Sequence, residues 1–326
     1  MGPLGKPTSM ATSMATSANG SRKRKRTDES DGRNGPVLPT SSHLLYFGSK
    51  GVTRRKPLLA ATSAALERAS VLYSPFFGAG LFEYFVKSLF PKIRVEGFEV
   101  IPEIAEFHRV FTARPQLLFS KVDELLDKGP LTKEEWSRLR DRLHGGGGSD
   151  VERAAITFVV SRHSFGGKLR SFACKNNANN AAYCSVPRAA RAYTGVSGFT
   201  VRCEDGLRWL EEHGPNLPSD AVLFLDPPYF LPRNYYGIFE EQPLFDHERL
   251  CRALQKIPVG VSWFLCYNDH EQVRDLYKPF ANVGTLSFMY KKGPNTQVKT
   301  SATTELLISA SSPSAIRARE RRDASQ

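Results

Sequence analysis

The chain has 326 residues, 40% hydrophobic and 11% aromatic, a globular composition able to bury the core of one large domain or two modest ones. A mean hydropathy of -0.35 and the lack of any long uncharged apolar run argue against a membrane span, and the absence of an early apolar stretch argues against secretion. The formal net charge is +12, which points towards polyanionic partners.

Residues 1–42 are rich in Ser, Thr, Gly and Pro and are expected to form a disordered tail. Inside them, Arg22-Lys23-Arg24-Lys25-Arg26 is a basic cluster of the nuclear-import kind, which predicts a nuclear location. The plainer alternative is a non-specific nucleic-acid arm in a cytoplasmic protein. The body then alternates. A buried strand is expected at 71–73, a glycine-bearing turn, and a helix running to Leu89. A second strand follows at 93–98, with a helix from about Pro102. Thr132 with Glu135 makes a capping box ahead of an amphipathic helix, which Gly145 to Gly148 ends. Strands are expected at 199–203, 221–225, 259–266, 286–290 and 304–309, with helices at 205–213, 247–254 and 269–277. This rhythm predicts an α/β fold with a mostly parallel, Rossmann-like sheet covered on both faces. Residues 115–198 break the rhythm and read as an inserted, mostly helical domain. It divides a catalytic domain into parts at 43–114 and 199–310, and a polar, basic tail occupies 311–326.

Between residues 153 and 202 there are eight Lys or Arg and no Asp or Glu. A polyanion-binding surface is the sharper reading of that block, and an ordinary basic surface the plainer one. Arg162, Lys168, Arg170, Lys175, Arg188 and Arg191 are its candidate contacts. The five cysteines are odd in number and irregular in spacing, which suggests a reducing compartment. Cys174 and Cys184 lack a second pair, so no metal is implied.

The chemistry concentrates at strand ends. Ala221-Val-Leu-Phe-Leu225 is an apolar strand that runs into Asp226-Pro227-Pro228-Tyr229. The prolines remove two backbone donors and fix two φ angles. Asp226 and a neighbouring carbonyl can accept both hydrogens of an exocyclic amine, while Tyr229 can stack on the ring that carries it. Phe76-Phe77-Gly78-Ala79-Gly80 follows the first strand, where glycines allow a tight turn and close approach of a ligand to backbone. It is neither the full dinucleotide fingerprint nor a Walker A loop. Glu99 ends the second strand and can accept from a ribose diol, and Asp205 follows the third and can accept from an adenine amine. For either acid alone, a helix cap or a surface position is the plain alternative. Together they suggest a nucleoside cofactor without phosphates to cradle, which suits S-adenosylmethionine.

In this order the motifs resemble those of the Dam-like, D12 class of DNA adenine-N6 methyltransferases. Pro75-Phe76-Phe77-Gly78-Ala79-Gly80 is similar to the family's cofactor motif and Asp226-Pro227-Pro228-Tyr229 to its catalytic motif. Tyr46-Phe47-Gly48-Ser49-Lys50 resembles its N-terminal motif, and Phe165-Gly166-Gly167 its Phe-Asn-Gly element. Tyr236-Gly237, Asp246-His247, Leu265-Cys266-Tyr267 and Glu305-Leu306-Leu307-Ile308 also fall where the family has similar residues. The resemblance covers roughly residues 43–309. It departs at Ser49, at Ser74, where the family carries an acid, and at Glu99, where Asp is usual.

The resemblance implies methyl transfer from S-adenosylmethionine to N6 of an adenine flipped out of double-stranded DNA. Tyr46, Lys50, Pro75, Phe76, Gly78, Gly80, Glu99, Asp205 and Asp226 would hold the cofactor. Asp226 and the Pro227 carbonyl would polarise the amine, Pro228 would stiffen the loop, and Tyr229 would stack on the base. The enzyme is expected as a monomer, with a dimer on DNA as the alternative. An RNA or ribosomal N-methyltransferase and an inactive DNA-binding relative are the competing readings.

Overall fold

The computed structural model describes residues 44, 52–167, 169–173, 186, 188–230, 245–291 and 300–310. Seven strands form one sheet: β1 (Val71–Ser74), β2 (Arg94–Glu99), β3 (Phe199–Cys203), β4 (Ala221–Leu225), β5 (Ser262–Asn268), β6 (Ala281–Lys291) and β7 (Thr300–Ala310). Their order is β3-β2-β1-β4-β5-β7-β6. The first five are parallel, and β7 pairs antiparallel with both β5 and β6. Every residue of β4 is buried, which is why its sequence is an unbroken apolar run rather than an alternating one. This is the doubly wound, Rossmann-like architecture expected from the alternating sequence.

Helices cover both faces. On one side lie α1 (Val52–Leu66), α2 (Leu81–Leu89) and α3 (Pro102–Ala113). Outside them lie α4 (Pro115–Leu125), α5 (Lys133–His144), α6 (Asp150–Arg162) and the short α7 (Arg188–Arg191). On the other side are α8 (Gly206–His213), α9 (His247–Gln255) and α10 (Glu271–Tyr277). Among the described residues, the segment between α3 and β3 is mostly helical. Its buried side chains are continuous with those beneath the sheet, through Phe107 stacked on Phe111 at 5.6 Å and Phe119 edge-on to Phe158 at 5.7 Å. The capping box at the start of α5 forms: Thr132 Oγ1 accepts from Glu135 N–H, and the Glu135 carboxylate accepts from Thr132 N–H. No helix among the described residues is long and apolar enough to cross a membrane.

Boundaries shift where turns intervene. The strand expected from residue 259 begins at Ser262, because Val261 N–H bonds back to the Pro258 carbonyl and Gly260 adopts φ 110°. Residue 269 is outside α10 because the His270 side chain accepts from Gln272 N–H and caps the helix. The last two strands are each 11 residues long, roughly twice the expected length. Their ladder from Ala281↔Ala310 to Lys291↔Thr300 carries polar residues that a hydrophobic pattern does not mark.

Candidate active site

The chain runs outward from β1 through β2 to β3 and then returns to β4 on the other side of β1. That reversal opens a crevice at the carboxyl ends of β1 and β4, where ligands bind in open α/β sheets. The glycine turn follows β1, and Asp226 follows β4. A small cleft lies between them, lined by Phe76, Phe77, Gly80, Leu81, Phe82, Glu83, Phe224 and Asp226. The structure thus brings the sequence-predicted Phe76, Gly80 and Asp226 together.

The glycine turn is built from positive-φ backbone, with Gly78 at 52° and Gly80 at 64°. A Cβ on Gly80 would stand 2.3 Å from the Phe77 ring, so this position requires glycine twice over. Phe77 N–H donates to the Phe98 carbonyl at 3.0 Å, fixing the turn to the end of β2, and its ring lies over Gly97, where a Cβ would be 2.1 Å away. Gly78 is held from both sides. Its N–H donates to Glu99 Oε2 at 2.9 Å, and its carbonyl accepts from His108 Nε2 at 2.8 Å. Because a carbonyl only accepts, His108 carries its proton on Nε2, and Nδ1 then accepts from the Tyr84 hydroxyl at 3.1 Å. Burial pushes His108 down to about 4, so it is neutral at physiological pH.

Glu99 is 6% exposed at the end of β2. Oε1 accepts from Ile101 N–H at 2.9 Å. Burial pushes its carboxyl up to about 7, against backbone bonds from Ile101, Gly78 and Val100 that pull it down. Asp205 caps α8: Oδ1 accepts from Leu207 N–H at 2.9 Å and Arg208 N–H at 3.2 Å. The capping alternative weighed for Asp205 is therefore real, and it leaves Oδ2 for another donor. The next residue, Gly206, touches the Pro75 backbone, so the loops after β1 and β3 meet. Ser74, the last residue of β1, is fully buried, and its hydroxyl donates to Glu83 Oε1 at 2.6 Å.

Past β4, Pro227 is buried, Pro228 exposed and Tyr229 half-buried. Burial, then the neighbouring Asp226 and Glu305 carboxylates, push the Tyr229 phenol far above its ordinary value, so it stays protonated. Its ring lies 6.2 Å from that of Tyr267. The Phe230 carbonyl accepts from Asn268 Nδ2 at 2.7 Å, and its ring packs between His247 at 4.9 Å and His270 at 4.7 Å. His247 in turn bonds the Tyr267 hydroxyl at 2.7 Å. Phe76 reaches across to meet Phe245 edge-on at 5.4 Å. The Asp226–Tyr229 tetrapeptide is therefore braced by β5 and by the start of α9. Glu305 on β7 pairs with Arg54 of α1 at 3.1 Å, and neither residue's role was visible in the sequence pattern.

The basic block needs correction. It is free of acids along the chain but not in space. Arg153 pairs with Glu106, Arg191 makes a two-pronged bond to Asp123 at 2.5 and 2.7 Å, and Arg202 bonds Glu96 at 3.1 Å. Arg162 is buried on α6 with its guanidinium over the Phe158 ring at 5.4 Å, so it is not part of an exposed phosphate-binding surface. Arg170 is exposed, beside Leu169 at φ 60° and the Phe165–Gly167 turn. Tyr46, Lys50, Lys168, Lys175, Cys174, Cys184 and Tyr236-Gly237 lie outside the described residues, as does the side chain of Arg188. His108, Gly97 and Gly206 were not singled out in the sequence. Only the position of Gly206, directly after a strand-end acid, gave any hint of it.

No protein-family model and no curated protein matches the sequence. Among solved structures, a precorrin-6y C5,15-methyltransferase from Geobacter metallireducens is similar at 11% identity and a TM-score of 0.39, over 85% of this chain and 99% of that one. A precorrin 8W decarboxylase from Methanobacterium thermoautotrophicum is similar at 9% identity and a TM-score of 0.37, over 83% and 98%. A putative RNA methyltransferase from Pyrococcus horikoshii is similar at 10% identity and a TM-score of 0.36, over 82% and 86%.

Proposed function

We propose that the protein is an S-adenosylmethionine-dependent methyltransferase that acts on N6 of adenine in duplex DNA, as its likeness to the Dam-like D12 class implies. The observation that carries this reading is the position of Asp226: it directly follows the central buried strand and lines one cleft with the glycine turn. The residues fit the cofactor. The positive-φ turn presents glycine at Gly78 and Gly80, Glu99 keeps acceptor capacity on a buried carboxylate, and Asp205 keeps Oδ2. S-adenosylmethionine bound there supplies an electrophilic methyl group on sulfonium.

The chain's own residues act on the amine. An adenine N6 lone pair is delocalised into the ring and is a poor nucleophile. Asp226 and the Pro227 carbonyl accept its two hydrogens, which draws the nitrogen towards a pyramidal, reactive form. These acceptors are preorganised, because the prolines fix the loop and Asn268 holds the Phe230 carbonyl just beyond it. Tyr229 stays a neutral phenol, suited to stacking against a flipped base.

Duplex DNA as the target is supported by the ordered series of motifs and by the helical insertion between cofactor and catalytic motifs. The ion pairs within the basic block remove some of the charge argument. Tritiated cofactor offered with duplex DNA or with structured RNA separates the targets. Label in DNA alone is expected, and label in RNA alone would overturn the DNA reading.

A further inference from the structure

The order of strands lays four polar anchors along one edge of the sheet. Asp205 stands after β3, Glu99 ends β2, Ser74 with Glu83 marks β1 and α2, and Asp226 follows β4. Three of these have roles in the reading above. The fourth does not. Glu83 is 3% exposed and lines the cleft beside Gly80 and Asp226. The hydroxyl of Ser74, itself inaccessible, fixes Oε1 at 2.6 Å. Gly80 leaves the start of α2 without a side-chain cap, and Glu83 sits in the first helical turn, where the helix dipole favours a negative charge.

We infer that the Glu83 carboxylate, oriented by Ser74, binds the α-ammonium group of the cofactor's methionine moiety. The assignment rests on the cofactor reading and deepens it. An elongated ligand with adenine near Asp205 and ribose near Glu99 must lay its amino-acid end across the carboxyl end of β1 to bring its methyl group towards Asp226. Glu83 is the anionic side chain that borders the cleft there. It is a binding residue for one end of the cofactor, separate from the acceptors that serve the target amine.

Calorimetry on the full chain with two ligands tests this: S-adenosylmethionine, and 5′-methylthioadenosine, which keeps the nucleoside and thioether but lacks the amino-acid end. Glu83→Gln keeps shape and removes charge. It is expected to weaken S-adenosylmethionine by about 10- to 100-fold, the range for a hydrogen bond to a charged group, while leaving 5′-methylthioadenosine within about twofold. Ser74→Ala, which removes the hydroxyl's hydrogen bond to Oε1, is expected to give a smaller loss of the same selective kind. Equal weakening of both ligands by Glu83→Gln would show a structural role and overturn the assignment. Unchanged S-adenosylmethionine binding would overturn it alone, leaving the cofactor reading intact. Failure of the unaltered protein to bind S-adenosylmethionine would overturn both.

Discussion

The carbonyl of Pro75 lies against the Cα of Gly206 so closely that a β-carbon there would stand 1.6 Å from the oxygen. This single contact joins the glycine turn after β1 to the cap of α8, and so to Asp205. Helix propensity favours alanine over glycine by up to about 1 kcal/mol. The clash is with backbone, which cannot swing aside, and overpacking of this kind costs about 1–3 kcal/mol. Gly206→Ala is therefore expected to destabilise the fold, measurable by denaturant unfolding, and to weaken S-adenosylmethionine binding by displacing the glycine turn. Equal or higher stability with full cofactor affinity would contradict the contact.

Glu99 and His108, which grip the same glycine, should impose opposite pH dependences. Burial raises Glu99 from 4.5 to about 7, so between those values the folded chain holds a proton that the unfolded chain has released. Its contribution to stability is present below pH 4.5 and is lost as pH rises through 7. Burial lowers His108 from 6.5 to about 4, so its contribution is present above pH 6.5 and is lost as pH falls through 4. In Glu99→Gln only the histidine effect remains. Unfolding free energies are expected to show the variant gaining about 3 kcal/mol relative to the unaltered protein between pH 4.5 and 7. A difference independent of pH would mean that Glu99 is not the buried acid described.

The neutralised basic block gives a prediction for DNA binding. A phosphate contact contributes about 0.9 to the slope of log K against log salt. Arg191 already holds Asp123, and that partnership pulls the Asp123 carboxyl below its usual range. Arg191→Ala is expected to change the slope for duplex DNA by much less than ~0.9. Asp123→Ala, which releases the guanidinium, is expected to tighten non-specific binding. A full loss of one contact's worth in Arg191→Ala would show that the arginine leaves Asp123 for phosphate.

The features legible in the sequence are those that depend on neighbours in the chain. The strands at 199–203 and 221–225 were expected at the bounds found, because apolar runs of that length between turn residues admit few alternatives. The Thr132 capping box was legible because both partners lie within one helical turn. The positive-φ glycines after β1 were legible because only glycine takes that conformation freely. What escaped depends on segments far apart meeting. Gly97 matters only because Phe77 lies over it, and His108 only because α3 carries it to the glycine turn, 30 residues away. The acids that neutralise Arg153, Arg191 and Arg202 come from 47, 68 and 106 residues away, so no local count of charge could include them.

The central claim is that Asp226 acts on an adenine amine presented at this cleft. The most direct measurement uses S-adenosylmethionine with a deuterated methyl group, duplex DNA, and mass spectrometry of the released nucleosides, for the unaltered protein and for Asp226→Ala. The account predicts deuterated N6-methyl-2′-deoxyadenosine with the unaltered protein. It predicts none above background with Asp226→Ala, although calorimetry still shows that variant binding cofactor. Methylated adenine at a near-normal rate from Asp226→Ala, or label on another base or atom, would contradict it.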